Sequence, residues 1–513
     1  MRLRRWPVWA DIGWMKIRSL LLLLCVLPLA LVPAGCSTNP ATGEASFTAF
    51  MSPDDEKQVG AEQHPTLVQQ FGGAYRDPEL QAYVDRVGLS LARQGELQDL
   101  HWSFTILDDD GINAFALPGG YVHVTRGLLA LASNEAELAG VLGHEIGHVT
   151  ARHAAQRYST EQATSLGIGA LGILGVFAGL PPMLGSLANS SLQTGAAVYL
   201  QSYSRDQELE ADRLGVRYMS RAGYDPDAMV TFFRKLDAYA RLQASLVGDP
   251  AAADRFDIMA SHPRTAERVQ EAGVEANAHR LPGQRLDRQR FLQAIDGLLY
   301  GDAPAQGLRR GRDFLHPGLR IAFRVPDGFV LKNSPQQVVA IGPDGAVLAF
   351  DAEPRADVAR AAPDMATYLA RVWAAKAQLA ALQQFTVAGM PAAAAAARGK
   401  SGGSTVDIRL VAIRGGPDRI WRFAFISRPQ ATARLLDGFR ATVESFHALS
   451  AEDAAALQPW RIRLASVNEG DTQERLAARM VMPELRLETF RVLNGLAAGA
   501  PLTPGETIKI VGE

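Results

Sequence analysis

Two histidines one helical turn apart, with a glutamate beside the first, are the residues of this sequence best placed to do chemistry: His144-Glu145-Ile146-Gly147-His148. At positions i and i+4 of a helix both imidazoles lie on one face and can reach one metal ion. Glu145 projects beside them, within reach of a metal-bound water. The apolar frame Leu138-Ala-Gly-Val-Leu-Gly gives this helix one buried side and one side facing a cleft. A hydrolytic zinc site needs a third protein ligand and an open fourth position. One known extension, H-E-x-x-H-x-x-G-x-x-H, is excluded, because Ala151 and Ala154 stand where its glycine and last histidine belong. His153 is one residue short and is expected to point to another face. The other solution, a Glu on a later helix, is met by Glu208-Leu-Glu-Ala-Asp212. Glu208 is then the ligand. Asp212 shares its face and can accept a hydrogen bond from a ligand histidine, fixing its tautomer. Glu210 is the rival ligand, but helical spacing turns it away from that face.

Such ligands must be His and carboxylate here, since the two cysteines, Cys25 and Cys36, both lie near the N-terminus. No disulfide framework or C-x-x-C zinc site fits the body of the chain. A formal net charge of -2 gives a nucleic-acid partner no support. Before the chemistry comes an export pattern: Lys16 and Arg18, the apolar run Leu20 to Leu31, then Ala34-Gly35-Cys36. Met15 opens a better signal than the arm before it. The run is shorter than the roughly 20 apolar residues of a membrane span. Ala-Gly-Cys followed by the polar segment Ser37 to Glu44 resembles a bacterial lipoprotein lipobox, although Pro33 stands where Leu is usual. The expectation is a signal peptide at 1–35, lipidation of Cys36, a linker at 36–50 and a periplasmic protein anchored to a membrane, the outer one favoured.

The elements that must position the chemistry read as a mainly helical region at 51–285. Ser52-Pro-Asp-Asp-Glu is a helix start. His101 to Leu107 and Tyr121 to Thr125 alternate as strands, and Ser133-Asn-Glu opens a helix expected to reach about Tyr158. Leu166 to Leu180, with Gly175 and Gly179, is apolar and short for a span, so a buried helix under the site is preferred to a membrane hairpin. Ser204 to Ala222 is a helix ended by Gly223, and Leu281-Pro-Gly is a closing turn. Residues 311–448 read as a small α+β domain. Its strands are sought at Ile321, Gln337, Ala346 and Trp421, with a hairpin turn at Gly342-Pro-Asp-Gly and a helix over Asp357 to Leu382. Residues 460–513 resemble a LysM module through Gly470-Asp-Thr, Leu476-Ala, Leu493-Asn-Gly-Leu and Leu502-Thr-Pro-Gly-Glu-Thr. That resemblance implies a strand–helix–helix–strand order and peptidoglycan as a partner, with a bare packing role as the alternative.

Four strings together resemble the zinc metallopeptidase family of CAAX prenyl proteases and HtpX-type proteases, in its soluble periplasmic BepA-like branch. They are Asn113-Ala-Phe-Ala-Leu-Pro-Gly-Gly, the H-E-x-x-H helix with Arg152-His153, Ser204-Arg-Asp-Gln-Glu-Leu-Glu-Ala-Asp, and Ser261-His-Pro-Arg-Thr-Ala-Glu-Arg. The resemblance runs from about Ser52 to Glu271. It implies a helical gluzincin fold, one zinc ion per chain and endopeptidase activity. The strand around Asn113 to Val124 resembles the family's edge strand, which would pair with an extended substrate. In this scheme His144, His148 and Glu208 hold zinc, and Glu145 is the general base and later the general acid. His262 and Arg268 are the catalytic candidates for the developing oxyanion, and His262 is also a candidate for the open zinc position in a resting state. The helical-repeat C-terminal domain of BepA-like members is not read here, so their partners do not carry over. The expected function is clearance of misassembled or unfolded exported proteins. The alternative is a cell-wall-anchored binding or chaperone-like lipoprotein with a secondary zinc site; the intact Glu145 favours the enzyme.

Overall fold

The computed structural model describes residues 36–167, 202–246, 262, 266–401 and 403–513. The expected signal peptide, Cys25, the apolar stretch from 168 to 180, and Ser261 and Pro263 lie outside the described residues. Within them a mainly helical region comes first and a β-rich region later. Among the described residues no helix is long and apolar enough to cross a membrane.

A small antiparallel hairpin, β1 (Cys36–Thr38) and β2 (Ala45–Phe47), precedes α1 (Pro53–Gln70). Ser52 and Asp55 cap α1 reciprocally, and Pro53 at the first helical position loses no hydrogen bond. Helix α2 (Pro78–Ala92) starts from Asp77, whose side chain accepts the Leu80 N–H, again with a proline at the first position. Strands β3 (Ser103–Leu107), β4 (Ala114–Leu117) and β5 (Tyr121–Thr125) form a sheet of order β3-β5-β4, which leaves β4 at its edge. After α3 (Arg126–Leu131), the Asn134 side chain accepts the Glu137 N–H and starts α4 (Glu135–Thr150).

The expected helix to Tyr158 is two helices. Arg152 takes the left-handed conformation, φ 58°, and α5 (His153–Gly167) leaves in a new direction. That conformation costs a non-glycine residue roughly 1–2 kcal/mol. Its side chain is held in return: Nε donates to Glu56 Oε2 at 2.9 Å, Nη1 to Ser37 Oγ at 3.1 Å and Nη2 to the Met51 carbonyl at 3.0 Å.

Helix α6 (Arg205–Arg221) runs from the Ser204 cap to Ala222, and Gly223 follows at φ +82°. It packs on α4 backbone to backbone. A Cβ on Gly215 would sit 2.9 Å from the His144 nitrogen, and one on Gly147 would sit 3.1 Å from the Ala211 carbonyl oxygen. This approach sets the histidine face of α4 against the acidic face of α6. Helices α7 (Asp227–Leu246), α8 (Ala266–His279) and α9 (Arg288–Ile295) complete the helical layer.

In the β-rich region, β6 (Leu308–Arg310), β7 (Asp313–His316) and β8 (Ile321–Arg324) are followed by β9 (Val330–Asn333), β10 (Val338–Ile341) and β11 (Val347–Ala352). The Gly342-Pro-Asp-Gly hairpin joins β10 to β11 as expected. The helix expected over Asp357 to Leu382 is not continuous. It is α10 (Ala356–Ala361), α11 (Met365–Tyr368) and a π turn over Leu369–Trp373, and β12 (Ala380–Val387) already begins at Ala380. Pro363 forces Ala362 into an extended conformation, and Asp364 restarts the helix by capping Thr367. Strands β13 (Met390–Ser401), β14 (Ser404–Gly416) and β15 (Arg419–Ser427) then complete a seven-stranded sheet of order β12-β13-β14-β15-β11-β10-β9. One face meets an aromatic core of Phe323, Phe350, Phe423, Phe425 and Phe446 under α12 (Pro429–Ser445). The other carries Ala393, Ala395 and Ala412, small enough for Tyr368 and Trp373 to seat directly on the strands.

Past β16 (His447–Ala448) and α13 (Ala451–Ala456), the chain ends in the expected order of strand, helix, helix, strand. These are β17 (Arg461–Ser466), α14 (Gln473–Ala477), α15 (Arg486–Asn494) and β18 (Thr507–Gly512), with β17 antiparallel to β18. Ile462, Phe490, Leu493, Ile508 and Val511 belong to the same apolar core as Leu128, Leu142 and Phe291. The last segment therefore packs as part of the helical region.

Candidate metal centre

The α4–α6 contact brings the predicted residues together. His144, His148 and Glu208 are joined by His262, and one ligand atom from each lies within 4.8 Å of all the others. All four side chains are buried. The two Nε2 atoms of His144 and His148 are 3.0 Å apart. His262 Nδ1 is 3.1 Å from His144 Nε2 and 2.9 Å from Glu208 Oε1. Glu208 oxygens stand 3.5 Å from both Nε2 atoms.

The donor set fits zinc: imidazole nitrogens and a carboxylate, enclosed and convergent. Burial, together with the neighbouring His144, pushes His148 well below its ordinary pKa, so it is held in the neutral form that binds metal. Burial opposes the charge of Glu208, but His262, His144 and Arg268 outweigh it and keep the carboxyl below its usual range. Burial likewise opposes ionisation of Asp212, yet Arg268 and His144 bring it down to about 2.

Glu145 is fully buried, and neither carboxylate oxygen has a hydrogen-bond partner among the described residues. An unpaired buried carboxylate is costly. The His262 Nε2 lies 3.4 Å from Glu145 Oε1. A base held so bare beside a metal-binding cluster is suited to take a proton from whatever enters the site.

Asp212 Oδ1 lies 2.8 Å from His144 Nδ1, the contact expected from its helical spacing. Glu210 faces away from the cluster, also as the spacing requires, toward His153 and Asn39. Arg268 is not an open guanidinium. Its Nε and Nη2 donate to Asp212 at 2.7 and 2.8 Å, and its Nη1 stands 2.7 Å from Glu208 Oε2.

Three neighbours escaped the reading of the sequence. His153 does not point elsewhere: the break at Arg152 swings it onto His148, Nδ1 to Nδ1 at 2.8 Å. The Tyr203 ring stacks on His148, centroids 4.1 Å apart, and nothing but its place before the Ser204 cap marks it. Asn39 comes from the N-terminal hairpin, with no local signal at all. A cavity of about 450 Å³ opens beside His148, walled by Thr38, Pro40, Leu117, Pro118, Arg152 and Tyr203.

Residues 78–275 match the family model described as Peptidase family M48. The chain is 34% identical over 248 residues to the beta-barrel assembly-enhancing protease of Escherichia coli, an alignment covering 47% of this chain and 48% of that protein. It is 33% identical over 192 residues to the mitochondrial metalloendopeptidase OMA1 of Schizosaccharomyces pombe, covering 37% of this chain and 54% of the relative. The chain thus spans about half the length of these relatives.

Proposed function

We propose that this chain, whose residues 78–275 match the model described as Peptidase family M48, is a zinc-dependent endopeptidase acting on unfolded or misassembled exported proteins of the cell envelope. The observation that carries the reading is the convergence of buried His144, His148, Glu208 and His262 within 4.8 Å, with the buried Glu145 beside them and without a hydrogen-bond partner among the described residues. The envelope is supported by the export pattern before Cys36 and by the similarity to a protease named for β-barrel assembly.

His144, His148 and Glu208 would hold the ion, with one zinc per chain. Zinc supplies a Lewis acid that makes a water acidic enough to be deprotonated near neutral pH. Glu145 takes the proton of the attacking water on its carboxylate and returns it to the leaving amine. His262 stands inside the cluster as a further donor, as suits a resting state. Its imidazole is also the candidate donor to the oxyanion. Arg268 acts by holding Asp212 and Glu208 in place. The β4 edge lies beside α4 and supplies backbone for an extended substrate. Cys36, exposed at the start of β1, is the residue assigned to acylation and periplasmic membrane anchoring. The strand–helix–helix–strand order of 461–512 accords with the LysM resemblance, and peptidoglycan as a second partner rests on that resemblance alone.

The test is hydrolysis of an unfolded exported protein by the purified mature chain, with and without a chelator. Cleavage should stop on chelation and return with added zinc. Equal cleavage in both would overturn the proposal.

A further inference from the structure

The two histidines of the H-E-x-x-H motif are supported differently. His144 Nδ1 faces a carboxylate directly, Asp212 at 2.8 Å. His148 Nδ1 faces the imidazole of His153, at 2.8 Å. His153 is fully buried; its Nε2 has no hydrogen-bond partner among the described residues and lies 3.4 Å from Glu210 Oε2. The other oxygen of Glu210, Oε1, accepts a 2.7 Å hydrogen bond from Asn39 Nδ2. Asn39 is itself buried, and its Oδ1 accepts the Ala41 N–H at 2.9 Å, which fixes the orientation of its amide.

The proton positions along this line follow from one premise, the zinc reading of the site given above. With Nε2 of His148 turned to the metal as a lone pair, its proton sits on Nδ1. His153 Nδ1 must then accept, so the His153 proton sits on Nε2, facing Glu210. Every donor points outward, and the line ends on a carboxylate steadied by an amide. A histidine that binds metal is oriented, and made a better donor, by what its other nitrogen bonds to. For His144 that partner is a carboxylate. For His148 it is a carboxylate acting through a second imidazole.

We propose that His153, Glu210 and Asn39 are positioning residues for the metal ligand His148. The alternation in Glu208-Leu-Glu210-Ala-Asp212 then has a purpose. One face of α6 gives a ligand and the support of His144. The opposite face gives the support of His148. Asn39 stands three residues after Cys36, so the hairpin that opens the expected mature chain helps to set the metal centre.

The test measures zinc affinity of the full mature chain by competition with a chromophoric chelator, together with the melting temperature of the metal-free chain. Glu210→Gln keeps size and removes charge, and should weaken zinc binding by about tenfold or more. Asn39→Ala should weaken it less, and Glu210→Asp should restore part of the loss. Because Asn39 acts only through Glu210, Asn39→Ala should add nothing to Glu210→Gln in the double variant. A role confined to packing would instead lower the metal-free melting temperature and leave zinc affinity alone. Zinc affinity within about twofold of the parent in both single variants, or additive losses in the double, overturns the proposal. Should Glu210→Gln fail to fold, Asn39→Ala on the hairpin decides. A parent chain that binds no zinc removes the peptidase reading itself, which is a different failure from a parent that binds zinc beside a Glu210→Gln variant that binds equally well.

Discussion

Glu145 and Glu208 are both buried carboxylates of one small site, yet they should respond differently to the same substitution. Glu145 makes no hydrogen bond among the described residues, with His262 Nε2 3.4 Å away, whereas Glu208 lies against His262 and Arg268 at 2.9 and 2.7 Å. Glu145→Gln preserves shape and leaves the proposed ligands untouched. It should fold and bind zinc but lose roughly 10²–10⁴-fold or more in turnover, since base and later acid vanish together. Glu208→Gln removes a charged ligand, and zinc affinity itself should fall by more than about tenfold. Bound zinc and peptide turnover, measured on both variants, separate the roles. Near-parental turnover by Glu145→Gln would defeat the mechanism. Full zinc in Glu208→Gln with loss in Glu210→Gln would move the ligand two residues along. These positions were legible in the sequence because helical spacing alone decides which of 208, 210 and 212 share a face. His153 was misjudged because spacing arguments hold only while the helix continues, and it ends at Thr150.

At the scale of elements, the site depends on how closely α4 and α6 approach. Gly215 meets the His144 backbone where a side chain would stand. Gly215→Ala forces the helices apart and should cost about 1–3 kcal/mol, the range for overpacking a close contact. Zinc affinity should fall with it, because His144 and Glu208 separate; unchanged affinity in a chain of unchanged stability would show that the approach is not needed. A second element contact carries a pH dependence. His64 of α1 meets His123 of β5, Nδ1 to Nε2 at 2.9 Å, and His123 stacks on Phe115. Burial, helped by His64, lowers His123 to about 3, and burial lowers His64 as well. An unfolded imidazole titrates near about 6.5, so below that pH the unfolded chain binds protons that the folded chain refuses. Stability is therefore complete above that value and falls as pH drops, by at most about 1.4 kcal/mol per pH unit for each proton. His123→Gln should flatten this acid limb in denaturant midpoints measured across pH 4–7, a range running from about 2.5 units below the ordinary value to about half a unit above it. An unchanged slope would assign the limb elsewhere. The strands β12 to β14 were harder to read than these helices. Their alanines favour helix intrinsically, and only the facing Tyr368 and Trp373 make small side chains useful in a sheet.

At the scale of the whole molecule, the last segment bears on stability. Read as a sequence it is a separable module, since nothing in residues 460–513 names the surface it packs against. In the fold its Lys509 is fully buried, and Nζ donates to the carbonyls of Ala130, Leu131 and Ala132 at 2.7, 3.1 and 2.6 Å. Those carbonyls end α3, where a helix leaves its acceptors unpaired and its dipole negative. Close by, Lys235 pairs with Glu137 at 2.7 Å in the first turn of α4, so the start of the metal-binding helix is built against this joint. Lys509→Met keeps the length and apolar stem of the side chain but strips the acceptors of their donor. It should cost about 1–3 kcal/mol, the range for buried acceptors left without a donor. Removing residues 460–513 should cost more, because Leu128, Leu142 and Phe291 would lose the cover of Phe490, Leu493 and Val511. Thermal unfolding of the parent, the point variant and the truncated chain, each followed with zinc retention, tests this. Both changes should lower the melting temperature, and the truncated chain should lose zinc together with its fold. A truncated chain that melts like the parent and cleaves peptide at the parental rate would make the segment an independent module, and the shared core no part of the peptidase's stability.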